Sequence, residues 1–139
     1  MQQVVVAIAV IVGAVGLGLV LRVRGRVAAP TQPTRAVPTQ LDRADFAPQT
    51  PWLVAVFSSA TCHTCADVVR KATVLQSAEV GVVNIEFASD RELHRKYDVQ
   101  AVPIVVIADS EGVVRAGFAG PVTAEDLWGA LADVREQHQ

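Results

Sequence analysis

The residues best suited to chemistry in this sequence are its two cysteines, which occur together in Cys62-His63-Thr64-Cys65. The motif follows Trp52–Ser58, a continuous apolar run typical of a buried central strand, and precedes a segment with helical spacing. Cys62 is therefore expected at or just before a helix N-terminus, where free N–H groups and the helix dipole lower the pKa of a thiol. We expect Cys62 to be the nucleophilic thiolate. Cys65, one turn on and facing the interior, is expected to be the resolving thiol.

Two other interpretations of this motif remain open at this point. The cysteines are either a buried pair with no role, or ligands of a metal ion together with His63. A tetrahedral zinc site needs a fourth ligand, and the only other histidines, His94 and His138, are distant in sequence. The prediction is therefore a site with no metal, and with no cofactor beyond a redox-active disulfide that Cys62 and Cys65 can form. His63 either stabilises the neighbouring thiolate when protonated or is a solvated loop residue.

The elements that must position the motif alternate between strand and helix patterns. Helical spacing continues from Cys65 to Glu79, a capping box Ser89-x-x-Glu92 opens a second helix, and Thr123 caps a third. The turn 109–112 joins the last two strands, which should be antiparallel, whereas the first two are joined by a helix and should be parallel. We predict an α/β fold with a mixed sheet and helices on both faces, its strands at Trp52–Ser58, Val82–Phe87, Ile104–Ala108 and Val113–Phe118.

The N-terminal segment differs from the rest of the chain. Val4–Leu21 is a run of 18 residues without a polar or charged side chain, about 27 Å long as a helix and so close to the thickness of a bilayer core. A cleaved signal peptide is the alternative, but Met1-Gln2-Gln3 lacks a basic region and the run ends in arginines rather than at a small-residue cleavage site. We predict a single-pass transmembrane anchor with a basic flank over residues 1–26, followed by a Pro-rich linker over 27–50.

The distribution of charged residues indicates the membrane topology of the chain and a class of partner that is disfavoured. All four Lys or Arg residues of the segment 1–39 follow the apolar run, so the positive-inside rule favours a cytoplasmic domain, with an extracytoplasmic domain as the alternative. Residues 40–139 contain eight Lys or Arg and 14 Asp or Glu, a net charge of −6 that disfavours nucleic acid as a partner. Two cysteines are also too few for a disulfide-stapled miniprotein.

The sequence from about Leu41 to Val134 resembles the thioredoxin family. The resemblance rests on the C-x-x-C after a central strand, on Val83-Asn84-Ile85-Glu86, and on Val102-Pro103, 38 residues after Cys65 and followed by a strand. It implies a thioredoxin-like domain over 51–139, a cis bond before Pro103, and extended substrates that pair with the backbone of Val102. The implied catalytic residues are Cys62 and Cys65, with His63 and Thr64 as modulating residues.

The sequence departs from the family pattern around the site. Thr61 replaces a tryptophan, His63-Thr64 replaces Gly-Pro, and Arg70 replaces a helix proline. Val56 stands where the family has a buried acid that assists proton transfer to the second cysteine. Glu86 is a weak substitute for that acid and is expected to face solvent.

The leading functional prediction is a membrane-anchored thiol–disulfide oxidoreductase, with reduction favoured because the cytoplasm is reducing. Its implied partners are protein disulfide substrates, a thiol reductant or oxidant that recycles the site, and the membrane through Val4–Leu21. The alternatives are a non-enzymatic thioredoxin-fold adaptor or redox sensor, and a metal-binding chaperone.

Overall fold

The computed structural model describes Met1 and residues 37–138. The predicted span Val4–Leu21 and residues 27–36 of the predicted linker lie outside the described residues. Within the described part of the chain, no helix is long and apolar enough to cross a membrane. Residues 37–138 belong to one compact unit.

Four strands are present: β1 (Trp52–Ser58), β2 (Val80–Glu86), β3 (Ile104–Ala108) and β4 (Val114–Ala119). They form one mixed sheet in the order β2-β1-β3-β4. The first strand pairs in parallel with the second, while β1 with β3 and β3 with β4 are antiparallel, so the predicted strand directions are confirmed. Every residue of the first strand is buried, which explains why it is an unbroken apolar run rather than an alternating one.

Helices cover both faces of this sheet, as predicted. A short 3-10 helix (Arg43–Asp45) precedes β1, and three α-helices follow: α1 (Cys65–Thr73), α2 (Arg91–Lys96) and α3 (Ala124–Glu136). The first and third α-helices bury Val68 and Leu127 against one face of the sheet. The opposite face packs against Leu93 of α2 and against Leu41 and Phe46, which flank the 3-10 helix. The loop that carries the cysteines begins at the carboxyl end of β1 and leads into α1.

Two of the predicted helices begin or end elsewhere. The predicted capping box is wrong, because α2 begins at Arg91 after Asp90, and Ser89 instead donates through its N–H and hydroxyl to the Glu86 carboxylate. The first helix ends at Thr73 rather than Glu79. The Thr123 cap of α3 is confirmed, since its hydroxyl oxygen accepts from the Asp126 N–H at 3.1 Å.

Residues 37–50, which the sequence assigned to the linker, pack on the domain. Gln40 forms a bridge with Val113 beside β4, and Leu41 is 1% exposed. The Arg43 guanidinium donates to the carbonyl oxygens of Pro48, Thr50 and Asp109, which ties this segment to the turn between β3 and β4. Leu41 and Phe46 of this proline-rich segment thus belong to the apolar core on one face of the sheet.

Candidate functional site

The two cysteines lie where the sequence predicts them, between the end of β1 and the beginning of α1. Cys62 belongs to the connecting loop, and Cys65 is the first residue of the helix. They form a disulfide with Cα atoms 5.4 Å apart, a separation within the ordinary range for such bonds. The Cys62 N–H donates to Ser59 O and the Cys65 N–H to Cys62 O, so the loop is a sequence of tight turns that enters the helix.

The two sulfur atoms have different surroundings. Cys65 is 2% exposed and belongs to the buried face of α1, as predicted, whereas Cys62 is half-buried. A partner that approaches from solvent therefore meets Cys62 first. The Thr64 hydroxyl lies 3.6 Å from Cys62 Sγ, and because a disulfide sulfur only accepts, this hydroxyl is the donor. His63 is exposed on the same loop.

A cavity of about 300 Å³ lies beside the disulfide. Both cysteines line it, together with polar side chains from the ends of the two parallel strands: Ser58, Asn84 and Glu86. The Ser58 hydroxyl donates to the Asn84 side-chain carbonyl at 2.6 Å. Neither Ser58 nor Asn84 was predicted as a site residue, although the pairing of Ser58 with Glu86 in the β1–β2 register brings these groups together.

The sequence predicts that Glu86 faces solvent. In the structure its side chain is half-buried and lines this cavity. One carboxylate oxygen accepts from the Ala60 N–H at 3.0 Å, and the other from the Ala88 N–H at 2.8 Å and the Ser89 N–H at 3.2 Å. These backbone donors, the Ala60 N–H first, outweigh desolvation and lower the pKa of Glu86. Val56, at the position of the family's buried acid, is fully buried among apolar side chains.

The Val102–Pro103 peptide bond is cis, as the resemblance implied. Pro103 is buried, Val102 is half-buried, and Ile104 pairs with Phe57 of β1, one residue before that strand ends. Both residues thus lie at the end of the sheet from which the cysteine loop emerges. The Gly120 N–H donates to Pro103 O at 2.8 Å and fixes the chain beyond β4 against this segment. Neither Val102 nor Pro103 lines the cavity beside the disulfide.

The structure brings no histidine other than His63 near the cysteines. His94 is buried, donates from Nε2 to Ile85 O at 2.9 Å, and packs edge-on against Phe57 and Phe87. His138 packs on Trp52, at the opposite end of β1 from the cysteine loop. Over residues 37–138, no three side chains of His, Cys, Asp or Glu lie close enough together to hold a metal ion. The metal hypothesis therefore has no fourth ligand from either histidine.

No family model matches the sequence, and no curated protein matches it. Solved structures do resemble the domain, each with a TM-score of 0.55. A thioredoxin mutant from Halobacterium salinarum is 18% identical, and the match covers 76% of this chain and 95% of that one. Thioredoxin 1 from Thermosipho africanus is also 18% identical, with 62% and 97% covered. A thioredoxin-fold protein from Helicobacter pylori is 15% identical, with 64% and 71% covered. The domain has the thioredoxin fold.

Proposed function

We propose that this protein is a thiol–disulfide oxidoreductase that works mainly as a reductase. The observation that supports this most directly is the asymmetric pair at the end of β1, with Cys62 accessible and Cys65 buried behind it. Thiol–disulfide exchange needs one thiolate that a substrate reaches and a second thiol that reaches only the first. The geometry of the loop supports this arrangement.

The exchange proceeds in two displacements. In the reduced protein, the Cys62 thiolate attacks one sulfur of a substrate disulfide, a mixed disulfide forms, and the other substrate sulfur leaves as a thiolate that takes up a proton. The Cys65 thiolate then attacks Cys62 Sγ, which releases the second substrate thiol and regenerates the Cys62–Cys65 disulfide. Two electrons pass from the dithiol to the substrate, and an external thiol reductant must return them.

The remaining site residues have supporting parts in this proposal. Thr64 donates toward Cys62 Sγ, and His63 modulates the thiolate from the exposed side of the loop. The backbone of Val102, beside cis-Pro103, pairs with an extended substrate segment. Protein disulfides suit this site because backbone pairing supplies affinity with little dependence on substrate side chains.

Trapping of the mixed disulfide tests the proposed order of the cysteines. The full chain is expected to accelerate the reduction of insulin by dithiothreitol, and Cys62→Ser should abolish the acceleration. Reduced Cys65→Ser, incubated with insulin in the absence of dithiothreitol, should instead accumulate a covalent insulin adduct, visible on a non-reducing gel and released by reductant, because the resolving thiol is absent. A parent chain that gives no acceleration, matched by Cys62→Ser, contradicts the enzyme and favours an adaptor or redox sensor. Near-stoichiometric zinc that Cys62→Ser abolishes favours a metal chaperone.

We further propose that the domain is anchored to the membrane by the apolar run Val4–Leu21 and lies on the cytoplasmic side. Support comes from the length of this run and from the four arginines that follow it. Alkaline phosphatase fused after Gln139 should be inactive in bacterial cells, while a fusion of a cytoplasmic reporter at the same position should be active. The reverse pattern would place the domain outside and favour an oxidase or isomerase.

A further inference from the structure

Glu86 makes contacts that an exchange between two cysteines does not by itself require. One oxygen of its carboxylate accepts from the Ala60 N–H, two residues before Cys62. The other oxygen accepts from two consecutive N–H groups after β2, those of Ala88 and Ser89. A single side chain therefore bridges the loop that carries the nucleophile and the loop that follows the neighbouring strand.

The same carboxylate is the charged group of the cavity beside the disulfide. The other lining residues apart from the cysteines are serine, alanine, valine and asparagine. Three backbone donors keep Glu86 ionised, and its lowered pKa makes it a poor acceptor for a proton from Cys65. Glu86 therefore contributes a fixed negative charge and a loop contact rather than a general base.

A fixed negative charge has a defined effect on a nearby thiol. It disfavours the thiolate and raises the thiol pKa, in opposition to the helix N-terminus and to the Thr64 hydroxyl. When the thiolate is less stabilised, the reduced form of the couple is less stable relative to the disulfide. The disulfide is then a weaker oxidant, and the dithiol is a stronger reductant. The charge thus favours the reductase direction.

We propose that Glu86 is a positioning residue that fixes the cysteine loop through its contact with Ala60. By disfavouring the Cys62 thiolate, it also keeps the Cys62–Cys65 couple reducing. This inference rests on the proposed function. The other ionisable side chains on the surrounding elements are His63 on the loop, Asp67 on α1 with its partners Arg70 and Lys71, and Asp90 and Arg91 after β2. These groups stay unchanged in the variants that follow, so a shift in the titration of Cys62 reports on Glu86.

The test measures the rate of iodoacetamide alkylation of Cys62 against pH in the reduced full chain, followed by mass spectrometry. Glu86→Gln removes the charge and keeps an oxygen that can accept from Ala60. It should lower the midpoint by on the order of half a pH unit, the effect of one charge in partly solvated surroundings. The reduction potential against glutathione should rise. Glu86→Asp keeps the charge on a shorter side chain and should leave the midpoint near that of the parent.

Glu92→Gln is the matched control, because it makes the same charge change on the exposed face of α2, where Glu92 pairs with Arg95. A midpoint that is unchanged or higher in Glu86→Gln, or that moves equally in Glu92→Gln, overturns the proposal. If Glu86→Gln unfolds, Glu86→Ala must lower the midpoint in the same way. Alkylation needs no substrate disulfide, so a failure of insulin reduction counts against the proposed function and leaves this readout intact.

Discussion

At the scale of single residues, Thr64 stands out because it sits at the helix start but does not cap it. Its side chain makes no hydrogen bond to the backbone of α1, and its hydroxyl lies 3.6 Å from Cys62 Sγ. In the reduced protein, a hydroxyl so placed donates to a thiolate more strongly than to a neutral thiol. We therefore expect Thr64 to act on the protonation of the Cys62 thiol.

Replacement of Thr64 by valine should raise the pKa of the Cys62 thiol, because it removes the donor and keeps the shape of the side chain. The alkylation midpoint of reduced Cys62 is expected to move to higher pH, opposite to the effect of Glu86→Gln. Thr73→Val is the matched control, since Thr73 lies in the last turn of the same helix and donates to Val69 O. A midpoint that stays unchanged in Thr64→Val would show that the hydroxyl does not act on the thiolate.

The sequence predicts the cysteines of the site but does not place its polar neighbours beside them, for a physical reason. Cys62 and Cys65 stand in one short motif, and the roles expected of them follow from the strand before it and the helix after it. Ser58, Asn84 and Glu86 meet only through the parallel register of β1 and β2, which pairs Ser58 with Glu86. That register is set by long-range packing, and a single sequence does not specify it.

At the scale of elements, a local sequence pattern predicts a helix or strand correctly where no residue distant in the chain competes for the same contacts. The bounds of β1 and β3 are those predicted, because both strands are buried along their whole length. The capping box fails because Glu86 binds Ser89. The predicted extension of α1 fails because Leu75 reaches the core from a turn, with its N–H donating to Ala72 O, while Val74 is 66% exposed. An apolar residue at helical spacing need not belong to the helix.

The turn between β3 and β4 depends on Gly112, which has a φ of +80° and whose N–H donates to Asp109 O. A Cβ at this position would also clash with the carbonyl oxygen of Leu41. Gly112→Ala should therefore lower the free energy of unfolding by about 2–4 kcal/mol, measured by urea denaturation.

Replacement of Gly129 is expected to have the opposite effect on stability. It lies within α3, and a Cβ built there meets no atom within 4 Å. Gly129→Ala should raise the free energy of unfolding by about 0.5–1 kcal/mol, because alanine loses less backbone freedom in a helix. Equal effects of the two substitutions would contradict the structural assignment of the turn.

At the scale of the whole domain, the segment before β1 is joined to α2 by a cluster of polar contacts. The Tyr97 hydroxyl donates to the Asp45 carboxylate and accepts from the Asp42 N–H. Lys96 donates to the same carboxylate at 2.7 Å, and the Phe46 and Tyr97 rings stack with centroids 6.1 Å apart. Residues far apart in the chain are thus held together by groups that titrate, and the stability of the domain should depend on pH.

The sign of this dependence follows from the two pKa shifts. Hydrogen bonds from Lys96 and Tyr97 lower the pKa of Asp45 from 3.8. Its contribution to stability is therefore present above pH 3.8 and is lost as the pH falls through the lowered value. Burial, followed by the contact with Asp45, raises the pKa of Tyr97 from 10.0 to about 12. The contribution of Tyr97 is present below pH 10.0 and is lost as the pH rises to about 12.

Replacement of Tyr97 by phenylalanine isolates the alkaline half of this dependence. Urea denaturation of the parent should show stability that declines between pH 10.0 and about 12. Tyr97→Phe should be less stable at neutral pH by about 0.5–1.5 kcal/mol, the contribution of a lost hydrogen bond, and should show a flatter alkaline decline. Tyr97 is the only tyrosine of the chain, so the ultraviolet absorbance of phenolate reports its titration directly. A phenol that titrates near its ordinary value in the folded protein would contradict the contact with Asp45 and the docking of residues 37–50 that depends on it.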